Sequence, residues 1–241
     1  MYPRRVALVT GAGQRVGQAI AVALGRAGWH VAVHYFGSEA GAEATAEAVR
    51  AARSEASLHR ADLRDPAAPA RLVTEVATVC GRLDLLVSSA AGMERAPIGL
   101  TTPETFDGII ALNLRAPFLL AQAAAGVLPD GGAIVQIGDH MADEPWPDYA
   151  VHGIAKAGVH ALVRHLAAAL APRVRVNGVA PGFVLAPVGM PAEAAERFAA
   201  ATPLKRLGTP EDVAQAVCYL ADAPYVTGEV LHVDGGRGGR R

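Results

Sequence analysis

A glycine-rich stretch near the N-terminus restricts the possible folds of this chain more than any other feature. The stretch Thr10–Gly17 (TGAGQRVG) follows the apolar run Val6–Val9 and precedes the alanine-rich apolar segment 18–24. This order predicts a strand, a tight turn and a helix, which is the first unit of a doubly wound α/β fold.

The glycines of this stretch indicate what the turn binds. Gly11, Gly13 and Gly17 leave three residues in the second gap, so the spacing differs from plain G-x-G-x-x-G. Glycines let the backbone turn sharply and let a pyrophosphate approach the amides at the helix N-terminus. The first helical residues, Arg15 and Val16, then lie beside that pyrophosphate. We therefore expect a dinucleotide at this turn.

The rest of the chain alternates predicted strands with predicted helices. Several strands are nearly continuous apolar runs, such as LDLLV at 83–87, which is typical of parallel strands covered on both faces. The pattern predicts an α/β fold with a doubly wound, seven-stranded parallel sheet and helices on both faces. The predicted strands are 5–10, 29–35, 56–61, 83–89, 132–138, 173–180 and 228–233. The predicted helices are 15–27, 39–53, 66–80, 103–126, 148–171 and 210–222.

Composition narrows the class of protein. The 241 residues carry a formal net charge of −1, which gives no basic surface for nucleic acid, and no apolar run reaches the length of a membrane span. The two cysteines, Cys80 and Cys218, lack metal-ligand spacing, so we expect free thiols in a reducing cytoplasm and no metal. We expect one domain over 1–241 that acts on a small molecule.

The least regular segment is 182–209, which follows Pro181 and contains Pro187, Pro191 and Pro203. It follows a predicted strand at the edge where open α/β sheets bind ligands. We interpret it as a mobile lid over the substrate; the alternative is an inert surface loop. The basic end (Arg237, Arg240 and Arg241) is expected to be a solvated tail.

The end of the second strand bears on the choice of cofactor. An acidic residue there would bind the ribose 2′-OH of NAD, and the sequence has none before Glu39. Arg15, His34 and Ser38 could instead donate hydrogen bonds to a 2′-phosphate. NADP(H) is therefore favoured, with NAD(H) as the alternative. Asp62-Leu63, after the third strand, either contact the adenine or hold a turn.

These motifs together resemble the short-chain dehydrogenase/reductase family from end to end. The resemblance implies a Rossmann-type domain, a nicotinamide cofactor and a homotetramer, or a homodimer. Beyond Thr10–Gly17, it rests on Asp62-Leu63, Asn113, Lys156, Arg175–Gly182 (RVNGVAPG), Pro210–Val213 (PEDV) and Val226–Gly236 (VTGEVLHVDGG). It also implies that Tyr35, Ser89, Ala90, Pro181, Gly182, Val184 and Lys156 contact the cofactor.

Within the family, the chain is most similar to pteridine reductases. Arg15 replaces a glycine, His34-Tyr35 end the second strand, and Asp139 stands where most members have a catalytic serine. In that branch the arginine lies near both the cofactor phosphate and the pterin. An aromatic residue that stacks on the pterin would be expected near Met93, and the sequence has none there, so this match is incomplete.

The proton donor of the family is a tyrosine four residues before the lysine, and here that position is His152. Residues four apart share a helix face, so His152 and Lys156 should point into the site together, with Tyr149 near the same face. The resemblance assigns Lys156 to the nicotinamide ribose and Asn113 to a water in the proton relay. We hypothesise that Asp139 and His152 form a general-acid pair.

Two functions remain open at this point. The first is an NADPH-dependent oxidoreductase that transfers a hydride to a C=O or C=N group, a pterin being one candidate substrate. The second is a catalytically impaired NADP(H)-binding protein that acts as a sensor or an inert subunit; a lyase or isomerase on the same scaffold is a third, more distant reading.

Met93, Trp146, Phe183 and Met190 suggest a mainly apolar substrate pocket. His140 is interpreted as a surface-loop residue.

Overall fold

The computed structural model describes residues 4–185 and 191–238, and its centre is one parallel sheet. The sheet has seven strands in the order β3-β2-β1-β4-β5-β6-β7, all paired in parallel. This confirms the predicted fold class and all seven predicted strands. The strands are β1 (Val6–Val9), β2 (His30–Tyr35), β3 (Ala56–Arg60), β4 (Leu85–Ser88), β5 (Gly132–Ile137), β6 (Val174–Pro181) and β7 (Val230–Val233).

Helices cover both faces of the sheet and bury its apolar strands. The helices are α1 (Arg15–Arg26), α2 (Glu39–Ala51), α3 (Ala68–Val79), α4 (Pro103–Ile110), α5 (Ala116–Ala125), α6 (Ala150–Leu170), α7 (Ala192–Ala201) and α8 (Pro210–Asp222). One core layer joins the sheet to α1, α2 and α8, and the other joins it to α3, α5 and α6. This double burial explains why the strand sequences do not alternate between apolar and polar residues.

The strand order reverses direction between β1 and β4, because β2 and β3 extend to one side and β5 to β7 to the other. The loops after β1 and β4 therefore separate and leave a crevice at the carboxyl edge of the sheet, where ligands bind in folds of this type. The loops after β5 and β6 end at the same edge.

Two predicted elements differ from the structure. The helix predicted over 103–126 is interrupted by a π-helical turn at Ala111–Arg115. The segment 182–209, predicted to be irregular, contains α7, whose alanines favour a helix. The lid predicted there lies partly outside the described residues, as do Met190, Arg240 and Arg241.

The stretch Pro103–Ala125 is long and apolar enough to cross a membrane by length and composition alone, although no unbroken apolar run was found in the sequence. Helices in the core of globular proteins pass the same test. In the most apolar window of this stretch, 44% is buried inside the protein. Its buried residues, such as Leu120 and Ala124, belong to the core layer beside α3 and α6.

Candidate active site

The turn after β1, which we call the phosphate turn (residues 10–17), is held by close backbone packing. Gly11 has a φ of +65°, and a Cβ on it would lie 2.8 Å from the Cα of Ala90. A Cβ on Gly17 would lie 2.2 Å from the carbonyl oxygen of Gly11. The Thr10 hydroxyl accepts hydrogen bonds from the amides of Ser89 and Ala90, at 3.0 and 3.1 Å. The phosphate turn and the β4 loop thus form one rigid unit.

The N-terminus of α1 is open to an anion. Its N-cap residue, Gln14, makes no side-chain capping hydrogen bond, and the first turn contains no acidic residue. The first amides of such a helix need an acceptor, and the positive end of the helix dipole favours a negative one. Val16 packs against the core from this turn.

Arg15 begins α1 in a backbone conformation that side chains rarely adopt. Its φ is +55°, in the left-handed region, and its side chain is exposed. Glycine fits such a position without strain, whereas another residue carries a cost of about 1–2 kcal/mol. Strain of this kind concentrates at ligand-binding sites. The strained position therefore agrees with a ligand-binding role for Arg15.

His34 corrects one prediction about phosphate binding. The ring is 2% exposed; its Nδ1 accepts the Gly11 amide at 3.1 Å, and its Nε2 donates to the carbonyl of Ala61 at 3.1 Å. Burial lowers the pKa of His34 to about 4, so the ring is neutral at pH 7. The expectation that His34 donates to a phosphate is wrong, because both nitrogens are used inside the protein. His34 supports the phosphate turn instead.

The residues that follow β2 leave its end without a carboxylate aimed at a ribose. Tyr35 is mostly buried, and its hydroxyl donates a hydrogen bond to Glu39 Oε1 at 3.3 Å. Glu39 is the first acidic residue after β2, so its carboxylate already has a partner within the protein. Ser38 packs against Gly13, where a Cβ would lie 2.3 Å from the serine Oγ. Ser38 thus lies at the phosphate turn, and its hydrogen bond to a 2′-phosphate stays a prediction.

The remaining predicted cofactor residues lie on the other loops at the carboxyl edge. Asp62 Oδ1 accepts the amide of Arg64 at 3.0 Å, which is the turn-holding role considered for it, and Leu63 is buried. Pro181 ends β6, and the Gly182 amide donates to the carbonyl of Val233. Val184 packs on the core layer that contains α1.

The segment after β5 and the helix α6 bring four ionisable side chains together. We call them the acid cluster (Asp139, His140, His152 and Lys156). Asp139 Oδ2 lies 3.4 Å from His152 Nε2, and Oδ1 lies 3.0 Å from His140 Nδ1. The Asp139 carboxylate also accepts the amide of Met141 at 2.8 Å, which fixes its orientation. His152 is 2% exposed. Asp139 and His152 are therefore close together, as the hypothesis requires.

Burial alone would raise the pKa of Asp139, but hydrogen bonds from His140 and His152 hold it well below the usual range. Burial lowers the pKa of His140, and the hydrogen bond and charge of Asp139 outweigh that effect and raise it overall. Asp139 is thus a carboxylate that favours protonated imidazole beside it. The interpretation of His140 as a surface residue is wrong, since it is 7% exposed and contacts Asp139.

Lys156 lies on the same helix face as His152, one turn further along α6. Its Nζ donates to the carbonyl of Ile137 at 2.8 Å, and the residue is 4% exposed. Burial lowers the pKa of Lys156, and Asp139 partly offsets this effect. Tyr149 is the N-cap residue of α6, and its ring packs edge-on against Trp146 with centroids 6.2 Å apart.

Asn113 occupies the π-helical turn and is 1% exposed. Its side-chain amide donates to the carbonyls of Gly92 and Ile109, both at 3.0 Å, and its Oδ1 accepts the amide of Gly92 at 3.3 Å. Both side-chain N–H groups are thus used to hold the β4 loop against the helix. π-Helical turns are frequent at functional sites because they displace the helix backbone.

An aromatic wall (His140, Trp146, Phe183 and Phe198) extends from the acid cluster to α7. Phe183 and Phe198 are stacked with centroids 4.4 Å apart, and Trp146 lies 6.0 Å from Phe198 at an interplanar angle of 20°. The Trp146 ring meets His140 edge-on at 5.6 Å. Phe198 was missed from the sequence, although it is the only large apolar residue between 191 and 201. Met93, expected in the pocket, is 55% exposed.

Arg237 was also misjudged, since it was expected in a solvated tail. Its guanidinium makes two hydrogen bonds to Glu144, at 2.5 and 2.7 Å, and lies over the ring of Phe198. The C-terminal segment thus holds both the loop after Asp139 and the aromatic wall. Only the spatial proximity of these segments reveals this, because Glu144 and Arg237 are 93 residues apart.

Comparison with known proteins agrees with this geometry. A family model described as enoyl-(acyl carrier protein) reductase matches residues 11–237. The chain belongs to the short-chain dehydrogenase/reductase family. Members of this family are oxidoreductases that use a nicotinamide cofactor.

Three similar proteins illustrate the relationship to this family. An uncharacterised oxidoreductase of Methylorubrum extorquens is 39% identical over 242 residues, covering 96% of this chain and 97% of the relative. Versicolorin reductase 1 of Aspergillus parasiticus is 35% identical over 250 residues, covering 96% and 95%. The crystal structure of the angucycline C-6 ketoreductase LanV with bound NADP superposes with a TM-score of 0.90 at 32% identity, covering 97% and 95%.

The nicotinamide cofactor of the family fits the residues present in this member. Gly11 and Gly17 pack directly against neighbouring backbone, which side chains would prevent, and the first turn of α1 has no side-chain cap. Both features suit a pyrophosphate held by backbone amides. The acid cluster and the π-helical turn lie on the loops and helices that follow β4 and β5, at the same edge of the sheet.

Proposed function

We propose that this protein is an NADPH-dependent reductase of a small carbonyl compound and that His152, held by Asp139, is its proton donor. The observation that carries the proposal is the environment of the His152 ring. Nε2 lies 3.4 Å from the Asp139 carboxylate, while the buried Nδ1 has no hydrogen-bond partner within residues 4–185 and 191–238. An unpaired buried nitrogen costs about 1–3 kcal/mol, and a substrate oxygen would satisfy it.

Each residue of the acid cluster then has a defined task. Asp139 fixes the orientation of His152 through Nε2, leaving the Nδ1–H to donate to the substrate oxygen. When bound, the reduced nicotinamide supplies the hydride that is added to the carbonyl carbon. Lys156, in keeping with the family, binds the nicotinamide ribose. Asn113 holds the β4 loop in place.

The cofactor is proposed to be NADP(H). Arg15 stands exposed at the phosphate turn in a strained conformation, and the first carboxylate after β2 is hydrogen-bonded to Tyr35. A free carboxylate would bind the 2′-OH of NAD and repel a 2′-phosphate. The bound NADP of LanV supports the same choice. NAD(H) is the alternative. Measuring turnover and affinity with both NADPH and NADH would distinguish the two cofactors.

The substrate is proposed to be a ketone with a flat aromatic ring system. The aromatic wall ends at His140, which contacts Asp139, so a flat ring stacked on it lies close to the proton donor. Offset stacking of this kind contributes about 0.5–1.5 kcal/mol beyond burial. The name of LanV states that it reduces a ketone. A pterin is the second candidate, because Arg15 matches the arginine of the pteridine-reductase branch.

The test measures oxidation of NADPH with a panel of aromatic ketones, dihydrobiopterin and dihydrofolate. The wild type should turn over at least one of them, and His152→Ala should lower kcat by about 10²–10⁴-fold while cofactor affinity persists. Arg164→Gln, a change at an exposed residue of the same helix, is the control and should keep the wild-type rate.

The alternative function predicts a different result. If the wild type binds NADPH without oxidising it, and His152→Tyr creates turnover, the protein is a nucleotide-binding sensor or inert subunit. If His152→Ala retains the wild-type rate, the proposed proton donor is wrong even if the protein is a reductase. A dependence on dihydrobiopterin alone, weakened by Arg15→Ala, would favour the pterin.

We further propose a homotetramer, or a homodimer, built through α4, α5 and α6. An apolar groove opens between these helices on the surface, and Phe118 in it is 43% exposed. The residues that line the groove are Ile110, Leu114, Arg115, Phe118, Gly158, Ala161, Leu162 and His165. Light scattering of the purified protein should give two or four chains, and Phe118→Glu should reduce that number.

A further inference from the structure

A second group of ligating side chains lies beside the acid cluster and has no part in the proposed reaction. It consists of Asp143, which follows the short turn His140–Ala142, His160 of α6 and His232 of β7. One carboxylate oxygen and one nitrogen of each ring lie within 4.8 Å of one another. Three segments that are distant in sequence thus bring two imidazoles and a carboxylate to one point.

The distances within this group are close to those of a metal site. Asp143 Oδ2 lies 3.1 Å from His232 Nε2 and 3.6 Å from His160 Nδ1. Ligands bound at about 2.0–2.2 Å in a tetrahedron are themselves about 3.3–3.5 Å apart. Small rotations of the side chains would therefore place all three ligands around one ion.

The accessibility of the group also suits a metal. His160 is buried and anchored on α6, whereas the side chains of Asp143 and His232 are 44% and 41% exposed, which leaves a route for an ion and room for water ligands.

We propose that Asp143, His160 and His232 form a binding site for a divalent transition metal of the zinc type. Two imidazole nitrogens and one carboxylate oxygen favour zinc and its neighbours over magnesium or calcium, which prefer oxygen ligands alone. Three protein ligands leave a coordination position for water, as in open zinc sites. A bound ion would fasten β7 to α6 and to the segment that begins at Asp139.

The test titrates the chelator-treated full-length protein with Zn²⁺ alone, by calorimetry and by competition with a chromophoric chelator. The wild type should bind one Zn²⁺ per chain, and Mg²⁺ should not compete. Asp143→Asn and His232→Gln should each weaken binding by about 10–100-fold or more, because loss of an indirect metal contact already has that effect. Both side chains are partly exposed, so these variants should fold.

A control variant addresses the other place where zinc could bind. Cys80 Sγ lies 3.6 Å from His30 Nε2, at the opposite end of β2 from the phosphate turn. Cys80→Ser should leave the affinity of the proposed site unchanged. If Cys80→Ser abolishes zinc binding while Asp143→Asn and His232→Gln retain it, the assignment is wrong.

Two further readings do not depend on enzymatic activity. Co²⁺ bound in place of Zn²⁺ should give the visible absorption of a cobalt ion with nitrogen and oxygen ligands, and Asp143→Asn should lose it. Zn²⁺ should raise the thermal midpoint of the wild type, because an ion that binds only the folded state stabilises it, and should leave that of His232→Gln unchanged. Absence of zinc binding in the wild type would reduce the group to hydrogen-bonded ion pairs and overturn the proposal.

Discussion

His34 and His152 are each 2% exposed, yet they differ in what surrounds the ring. Both nitrogens of His34 bond to backbone groups, the Gly11 amide and the Ala61 carbonyl. His152 has a carboxylate at one nitrogen, whereas the other is buried without a partner inside the described part of the chain. The first arrangement completes a structure, and the second leaves one group ready for a ligand.

The comparison shows that burial does not by itself identify a functional histidine. Two satisfied nitrogens and a low pKa make His34 a neutral support of the phosphate turn. A carboxylate orients the ring of His152, and the unpaired nitrogen of that ring carries a free-energy cost that a bound substrate would remove. The partners of a buried group, more than its exposure, distinguish a structural role from a chemical one.

The largest expected effect is on kcat, which should fall far more when His152 is replaced than when His34 is replaced. His152→Gln should lower kcat by about 10²–10⁴-fold, the usual contribution of a positioned acid. His34→Gln should leave kcat within a few-fold and raise the dissociation constant for NADPH, because it loosens the phosphate turn. Steady-state kinetics and a fluorescence titration of the cofactor measure both. Similar losses of kcat in the two variants would break the distinction.

The next effect is the pH dependence of stability, which should follow His34. Its pKa is lowered to about 4 in the folded chain, so between that value and about 6.5 the unfolded chain binds a proton that the folded chain does not. The stability contributed by the neutral ring is complete above about pH 6.5 and is lost as the pH falls towards 4.

Urea unfolding at pH 7 and pH 4.5 measures this loss. The wild type should lose about 2–3 kcal/mol more than His34→Gln over that interval, since one pKa unit corresponds to about 1.4 kcal/mol. Arg164→Gln, a change at an exposed residue outside the groove, should behave as the wild type. Equal losses in wild type and His34→Gln would show that His34 titrates normally.

A smaller effect is expected for the partner of His152. Asp139→Asn keeps the size of the side chain and removes its charge, so it weakens a charge-assisted hydrogen bond of about 1.5–3 kcal/mol. We expect kcat to fall by about 10–100-fold while the affinity for NADPH persists. A joint loss of kcat and of NADPH affinity would make Asp139 a structural residue.

The smallest effect belongs to the exposed arginine of the phosphate turn. Arg15→Ala should raise the KM for NADPH by about fivefold, the scale of a solvent-exposed charge pair, and leave the KM for NADH and kcat unchanged. Lys205→Ala, a surface cation of the segment after α7, is a matched control. Equal changes with NADPH and NADH would separate Arg15 from the 2′-phosphate.

The elements that local sequence patterns specify could be predicted well. The glycines of the phosphate turn, the apolar strands and the spacing of His152 and Lys156 on one helix each follow from periods of a few residues. Elements that depend on distant partners could not. At the π-helical turn Asn113 bonds to Gly92, which is 21 residues away, and Phe198 of α7 packs against Phe183 and Trp146 of other segments.

The site divides along the same line. By itself, the sequence determined the parallel sheet, the nucleotide-binding turn and the separation of Asp139 from His152 that made a pair conceivable. Only the tertiary structure decided which nitrogens of the buried histidines are satisfied, that Arg237 bonds to Glu144, and that Asp143, His160 and His232 meet. The physical reason is that backbone periodicity acts over a few residues, whereas hydrogen bonds and charges act over a few ångströms between segments that only the folded sheet brings together.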